Sequence, residues 1–159
     1  MALKYKVGKA SLFQVVHTGI NPGPFRMDVD VRNLKASLGI PLDAPIVGSV
    51  GRLAAPKLPL DFLHAAARVH KEMPALHFVW AGSGPLEAEV KATTSSLGLD
   101  DVVHWLGERS DVPALLRIYN CFVLPSKWEG FPLVILEAFA SGVPVIATDN
   151  LGARELIET

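Results

Sequence analysis

The chain has 159 residues, half of them hydrophobic and 19% charged, which is enough to enclose the core of one domain and too apolar for a disordered segment. A net charge of −1 offers no basic surface of the kind a nucleic-acid binder relies on. One cysteine, Cys121, permits no internal disulfide; no apolar run reaches the roughly 18 residues of a membrane helix, and the first eleven residues lack a signal-peptide core.

In chain order, residues 1–12 read as a lead-in and the domain is expected over 13–159. Phe13 to Ile20 reads as a short strand, NPGPF turns the chain with two prolines and a glycine, and a short helix is expected from Asp28 to Leu38, stopped at Gly39. Pro45 to Gly51 is a buried strand, followed after a loop by an amphipathic helix from Leu60 to Met73 with Pro59 at its start. Leu76 to Gly82 is another apolar strand, and GSGP turns it into the helix LEAEVKATTSSLG. Val102 to Gly107 is the next strand, SDVPALLRIY a helix with Ser110 or Asp111 as N-cap, and CFVLP a further strand. The helix PLVILEAFAS opens at Phe131 or Pro132 and stops at Gly142. VPVIATD is the last strand, and ARELIE begins another helix.

Strands and helices alternate throughout, and the strands are continuously apolar rather than alternating. That pattern predicts a parallel α/β sheet covered by helices on both faces, a Rossmann-like layer once the crossovers are right-handed. Ligands on such sheets bind beyond the C-terminal ends of the strands. Arg52, Lys57, Gly82 to Gly84, Arg109 and Lys127 to Gly130 all fall just after strand ends and therefore share one edge.

Within the helix PLVILEAFAS the side chains leave almost no polar face, so it is expected to be buried, with Glu137 the exception. A carboxylate there needs a partner. Glu137 lies about five residues inside the helix, roughly 8 Å along its axis, behind an N-terminus that offers N–H groups and a positive dipole end. Glu129 lies just ahead of that end. The order carboxylate, anion site, carboxylate matches the sugar hydroxyls, diphosphate and ribose hydroxyls of a nucleoside diphosphate sugar. The bland alternative is that Glu137 caps a neighbouring loop and Glu129 is solvated.

Arg52 and Lys57 can reach over the same edge, one gripping two oxygens and the other acting as a mobile point charge; as isolated residues they read equally well as solvated loop cations. Together with a helix N-terminus they could stabilise a departing diphosphate without a metal. Gly82-Ser83-Gly84 lets backbone approach a ligand closely, although a plain strand-to-helix turn is the simpler reading because the full G-x-G-x-x-G pattern is missing. Arg109 occupies a loop where a base could lie, or is solvated. Trp80 and Trp105 read as core, and Trp128 either shapes the sugar pocket or packs.

GRLAAPK at 51–57, AGSGP at 81–85, LPSKWEGFPLVILEAFASGVPVIATD at 124–149 and RE at 154–155 resemble the retaining family-4 glycosyltransferases, GT-B enzymes related to glycogen and sucrose synthases. The resemblance covers about residues 13–159, and its E-x7-E motif runs from Glu129 to Glu137. It implies the C-terminal, donor-binding half of such an enzyme, with the acceptor-binding half and the usual final segment absent. It also implies that Arg52 and Lys57 hold the donor diphosphate, that Glu129 meets sugar hydroxyls and steadies the transition state, and that Glu137 binds the ribose. Backbone N–H groups from Gly130 through Phe131 and Leu133 to Val134 would meet phosphate; Gly84 and the Arg109 loop would line the nucleotide site. No metal or other cofactor is implied; the donor is a nucleoside diphosphate sugar and the acceptor a saccharide or lipid-linked molecule. The setting the resemblance implies is the cytoplasm, with the inner membrane face reached only through the missing half.

Three departures from the family pattern stand out. Leu58 replaces the usual glycine and precedes Pro59, which biases it toward extended geometry and leaves the direction of Lys57 open. Asn120 stands where aspartate is common. Asn150-Leu151-Gly152 replaces V-G-G, expected to make that loop less permissive. The competing functions are a GT-B sugar-nucleotide epimerase and a non-catalytic interaction module on the same fold.

Overall fold

The structure, a computed structural model, describes residues 9, 14, 16 and 18–157. The lead-in at 1–12 therefore lies outside the described residues apart from Lys9. The strand expected from Phe13 to Ile20 loses Phe13, Val15 and His17 in the same way, and its described positions are not in a strand.

Five strands, β1 (Ile46–Val50), β2 (His77–Ala81), β3 (Val103–Trp105), β4 (Cys121–Leu124) and β5 (Val145–Ala147), form one parallel sheet in the order β3-β2-β1-β4-β5. Between them run α2 (Pro59–Glu72), α3 (Glu87–Ser96), α4 (Val112–Ile118) and α5 (Leu133–Ala140), with α1 (Val31–Ser37) before the sheet and α6 (Leu151–Ile157) after it. The expected α/β layer is thus the observed one, with helix and strand ends shifted by up to three residues. Helix α1 begins at Val31 because the Asp30 carboxylate accepts from the Asn33 N–H at 3.0 Å and caps it there.

Two apolar clusters flank the sheet. On one face Ile46, Val79 and Phe122 pack with Leu115 and Leu116 of α4 and Ile135 and Ala138 of α5. On the other, Phe78 and Trp80 pack with Phe62 and Leu63 of α2 and Val90 of α3. Trp80 is in the core as expected, 1% exposed, and its indole N–H donates to the Gly51 carbonyl at 2.7 Å, fixing the turn that leaves β1. Trp105 is half-buried and donates to Thr94 Oγ1 at 2.9 Å.

The strand order decides where a site can form. The chain winds one way from β1 to β3, then returns to lay β4 against β1. This reversal opens a crevice at the C-terminal ends of β1 and β4. The loops leaving those two strands meet there, the Lys127 N–H donating to the Pro56 carbonyl at 2.8 Å.

Helix α5 departs from expectation in two respects. Its first helical residue is Leu133; Pro132, with φ −77° and ψ 93°, is the N-cap rather than the first turn. Nor is the helix buried all round. Ile135 and Ala138 face the core, but Leu133 is 37% and Phe139 45% exposed, because no described element covers the side of the helix turned away from the sheet. Its end is as expected: Gly142 takes φ 75°, and Arg117 donates to the Ser141 carbonyl at 3.1 Å.

Candidate active site

Lys57 closes a 3-10 turn, Ala55–Lys57, in the loop after β1. Leu58, which follows it, is not extended. It takes φ 49° and ψ 52°, the left-handed conformation in which glycine is at ease. Two roles hold it there: its N–H closes the 3-10 turn on Ala55, and its carbonyl accepts from Phe62 to start α2. The backbone path a glycine would give is kept with leucine, at a cost of about 1–2 kcal/mol. Lys57 accordingly points into the crevice, and its Nζ lies 2.5 Å from Glu129 Oε1. The Glu129 side chain is 10% exposed and that of Lys57 30%.

Glu129 is held from the other side by α6. A Cβ on Gly152 would come within 2.7 Å of the Glu129 carbonyl and 2.8 Å of the Gly130 carbonyl, so only glycine allows this approach. Asn150 ties the loop, in line with the less permissive backbone expected where V-G-G is replaced. Its side-chain nitrogen donates to the Ser126 carbonyl at 3.2 Å, and its oxygen accepts from the Ala153 N–H at 3.1 Å, capping α6. Thr148 Oγ1 also donates to the Ser126 carbonyl, at 2.5 Å. Asn150 and Gly152 escaped the sequence reading as site-supporting residues; the Asn at a helix start was the signal for the cap.

The N-terminus of α5 is open. Pro132 supplies no side-chain cap, and among the described residues the N–H groups of Leu133 and Val134 have no hydrogen-bond acceptor. Gly130 is exposed, with open space where a Cβ would sit, and Phe131 is half-buried beside it. Four residues into α5, Glu137 is half-buried, and no side-chain hydrogen bond or ion pair reaches its carboxylate among the described residues. Burial pushes its pKa above the usual carboxylate range. The capping alternative weighed for Glu137 therefore has no partner to support it.

Arg52 is exposed, without an ion pair among the described residues, and lines a cleft of about 390 Å³ with Gly82, Ser83, Gly84 and Glu108. A pocket of about 140 Å³, sharing Gly82 and Glu108, continues between Val50, Ala81 and Val112. Gly84 lines the cleft, but its lack of a side chain is required by the protein itself: a Cβ would meet the Leu53 carbonyl at 2.4 Å, as one on Gly82 would meet that of Gly51 at 2.1 Å. Arg109 also lines the smaller pocket. Its guanidinium grips Asp111 through Nε at 2.8 Å and Nη2 at 2.7 Å, and this hydrogen-bonded pairing holds Asp111 below the usual carboxylate range. Asp111, the N-cap of α4, therefore makes no side-chain cap bond. Glu108 was missed; it follows a strand-end glycine just as Arg109 does, and the same rule could have found it. Trp128 is 62% exposed at the rim, so it does not pack in the core.

The structure thus brings Lys57, Glu129, Gly130 and the α5 N-terminus together at the switch point, and places Arg52 and Gly84 in the neighbouring cleft. A cleft of similar size, about 380 Å³, runs along α2 from Ala65 to Met73, away from the strand ends.

A Rossmann-like parallel sheet is the architecture shared with GT-B glycosyltransferases of known structure. A sequence profile of the family described as glycosyl transferases group 1 matches residues 30–159, and the chain belongs to that family. It is 34% identical over 148 residues to the lipopolysaccharide core biosynthesis mannosyltransferase LpsB of Rhizobium meliloti, covering 90% of this chain and 42% of that protein. It superposes with a TM-score of 0.87 and 28% identity on Alr3699/HepE of Anabaena in complex with UDP-glucose, covering 99% of this chain and 44% of that one. The C-terminal domain of a glycosyl transferase group 1 protein, LpcC, of Francisella tularensis matches at TM-score 0.71 and 27% identity, over 81% of this chain and 70% of that domain's chain. The chain spans less than half the length of the curated relatives it matches. Among the described residues no helix is long and apolar enough to cross a membrane.

Proposed function

We propose that this chain is the donor-binding part of a retaining glycosyltransferase and takes a nucleoside diphosphate sugar along the line from Glu129, past the α5 N-terminus, to Glu137. The observation that carries the reading is Glu137: a half-buried carboxylate without a side-chain partner among the described residues, four residues behind an uncapped helix start. Burying such a group unpaired costs stability, and ribose hydroxyls would supply the missing donors. The Leu133 and Val134 N–H groups would receive the diphosphate, with Arg52 and Lys57 neutralising the charge that grows on it as the sugar–oxygen bond breaks. Glu129 would accept from sugar hydroxyls. No step in this scheme calls for a metal.

The acceptor, a saccharide or lipid-linked molecule, would be held by the remainder of a longer protein at the cytoplasmic membrane face, and this chain alone would transfer little sugar. The UDP complexes of the Anabaena protein and the lipopolysaccharide role of the Rhizobium one support this choice of donor and setting. Calorimetry of the 159-residue chain with UDP, GDP and ADP tests the reading. One of the three is expected to bind, with a change in the fluorescence of the exposed Trp128. A folded chain that binds none contradicts it.

A further inference from the structure

The Lys57–Glu129 pair joins two groups that the donor-site reading assigns to different parts of one ligand. Lys57 belongs to the diphosphate and Glu129 to the sugar, yet they are bonded to each other at 2.5 Å. Their backbones cannot easily separate. The Lys127 N–H ties the Glu129 loop to Pro56, Leu58 fixes the turn that carries Lys57, and Gly152 presses α6 against the Glu129 and Gly130 carbonyls. Any rearrangement must come from the side chains. That of Lys57 is free to provide it, with four rotatable bonds and partial exposure.

We infer that the Lys57–Glu129 ion pair is an internal occupant of the donor site, exchanged for the ligand: an arriving diphosphate draws Lys57 away, and Glu129 is released toward the sugar only when it does. This rests on the donor-site reading and adds its regulation. While paired, the two side chains present no net charge, so the empty crevice attracts anions less than its lysine suggests. Once Lys57 turns to phosphate, Glu129 loses its counter-ion and needs hydroxyl donors, which the sugar provides. A nucleoside diphosphate without its sugar leaves Glu129 unanswered, so the pair re-forms more readily after transfer and favours product departure.

The sign of the expected effect runs against a simple contact role. Calorimetry is performed with whichever of UDP, GDP and ADP the wild-type chain binds, on wild type, Glu129→Gln, Lys57→Met and the double variant, with thermal melts confirming the fold of each. Glu129→Gln removes the competitor and is expected to bind the nucleoside diphosphate about three- to tenfold tighter than wild type, in keeping with a partly exposed ion pair. Lys57→Met binds more weakly, and adding Glu129→Gln to it restores nothing. Equal or weaker binding by Glu129→Gln overturns the inference, since it would mean that Glu129 positions Lys57 for phosphate. A gain that persists in the Lys57→Met background also overturns it, because it would arise from simple repulsion between Glu129 and phosphate. Absence of binding in every folded variant sinks the donor-site reading, and this inference with it.

Discussion

The two edges of this sheet are built from the same strands but differ in which of their polar groups find partners within the chain. At the N-terminal edge the buried Lys35 ammonium donates to the carbonyls of Leu42 and Ala44 at 2.9 and 2.7 Å. Asn120 receives the Ile46 N–H on its side chain and returns its own N–H to the Ile46 carbonyl, each at 2.8 Å. His77 Nδ1 meets His104 Nε2 at 2.9 Å, the two rings stacked. At the C-terminal edge Glu137 lacks a side-chain partner, Arg52 an ion pair, and α5 a cap, all among the described residues. Leaving a buried polar group unmet costs about 1–3 kcal/mol. On the donor-site reading proposed above, ligand would complete the C-terminal edge, while the contacts of the opposite edge serve the fold.

Substitutions at the two edges should therefore separate affinity from stability. The largest effects are expected at the open edge. Arg52→Ala and Lys57→Met should each weaken nucleoside diphosphate binding by about 10- to 100-fold, the worth of a hydrogen bond to a charged group; the melting temperature stays near wild type for Arg52→Ala and falls for Lys57→Met, which leaves the largely buried Glu129 carboxylate without its counter-ion. Lys35→Met should do the reverse, lowering stability by about 1–3 kcal/mol in denaturant titrations with nucleotide affinity unchanged.

Glu137→Gln sharpens the contrast because its two effects oppose each other. Burial raises the Glu137 pKa on folding, so its ionised form weakens the fold as pH rises through the carboxylate range. The variant should melt higher than wild type at neutral pH and bind nucleoside diphosphate about fivefold more weakly.

The histidine pair gives the closed edge a pH signature. Both pKa values are lowered, mainly by burial, with the charge of Lys35 and then His70 contributing at His77 and that of His77 at His104. The unfolded chain then binds more protons, so stability is present above the ordinary histidine range and lost as pH falls through it toward the lowered values. Protonating both rings also removes the acceptor from their hydrogen bond. Melting temperature should drop between about pH 7 and pH 5, and His104→Gln should flatten that slope. The smallest effect is expected at Leu58→Gly, which relieves a left-handed leucine and should raise stability by up to about 1 kcal/mol without altering nucleotide affinity.

Much of this was legible in the sequence because the determinants are local. Apolar runs of strand length, Pro59 and Gly142 at helix ends, and the placement of Glu129, Lys57 and Arg52 after strands all follow from short-range rules. What was not legible depends on contacts between distant segments. Leu58 adopts a conformation its own type and the following proline disfavour, because a 3-10 turn and α2 both end on it. The Arg109 guanidinium pairs with Asp111 two residues on, a contact the sequence reading did not include. The glycines at 82 and 84 are required by the backbone of Gly51 and Leu53, a constraint that the ligand-centred reading of the sequence did not include. The expected burial of α5 failed because an apolar sequence reports what a helix can cover, not whether a neighbour is there to cover it.

The most direct test is a crystal of the chain soaked with a sugar-bearing form of whichever of UDP, GDP and ADP it binds. The account predicts diphosphate oxygens on the Leu133 and Val134 N–H groups, Lys57 turned from Glu129 to phosphate, and ribose hydroxyls on Glu137. A ligand seated along α2, or one bound at the crevice with the Glu137 carboxylate still empty, would contradict it.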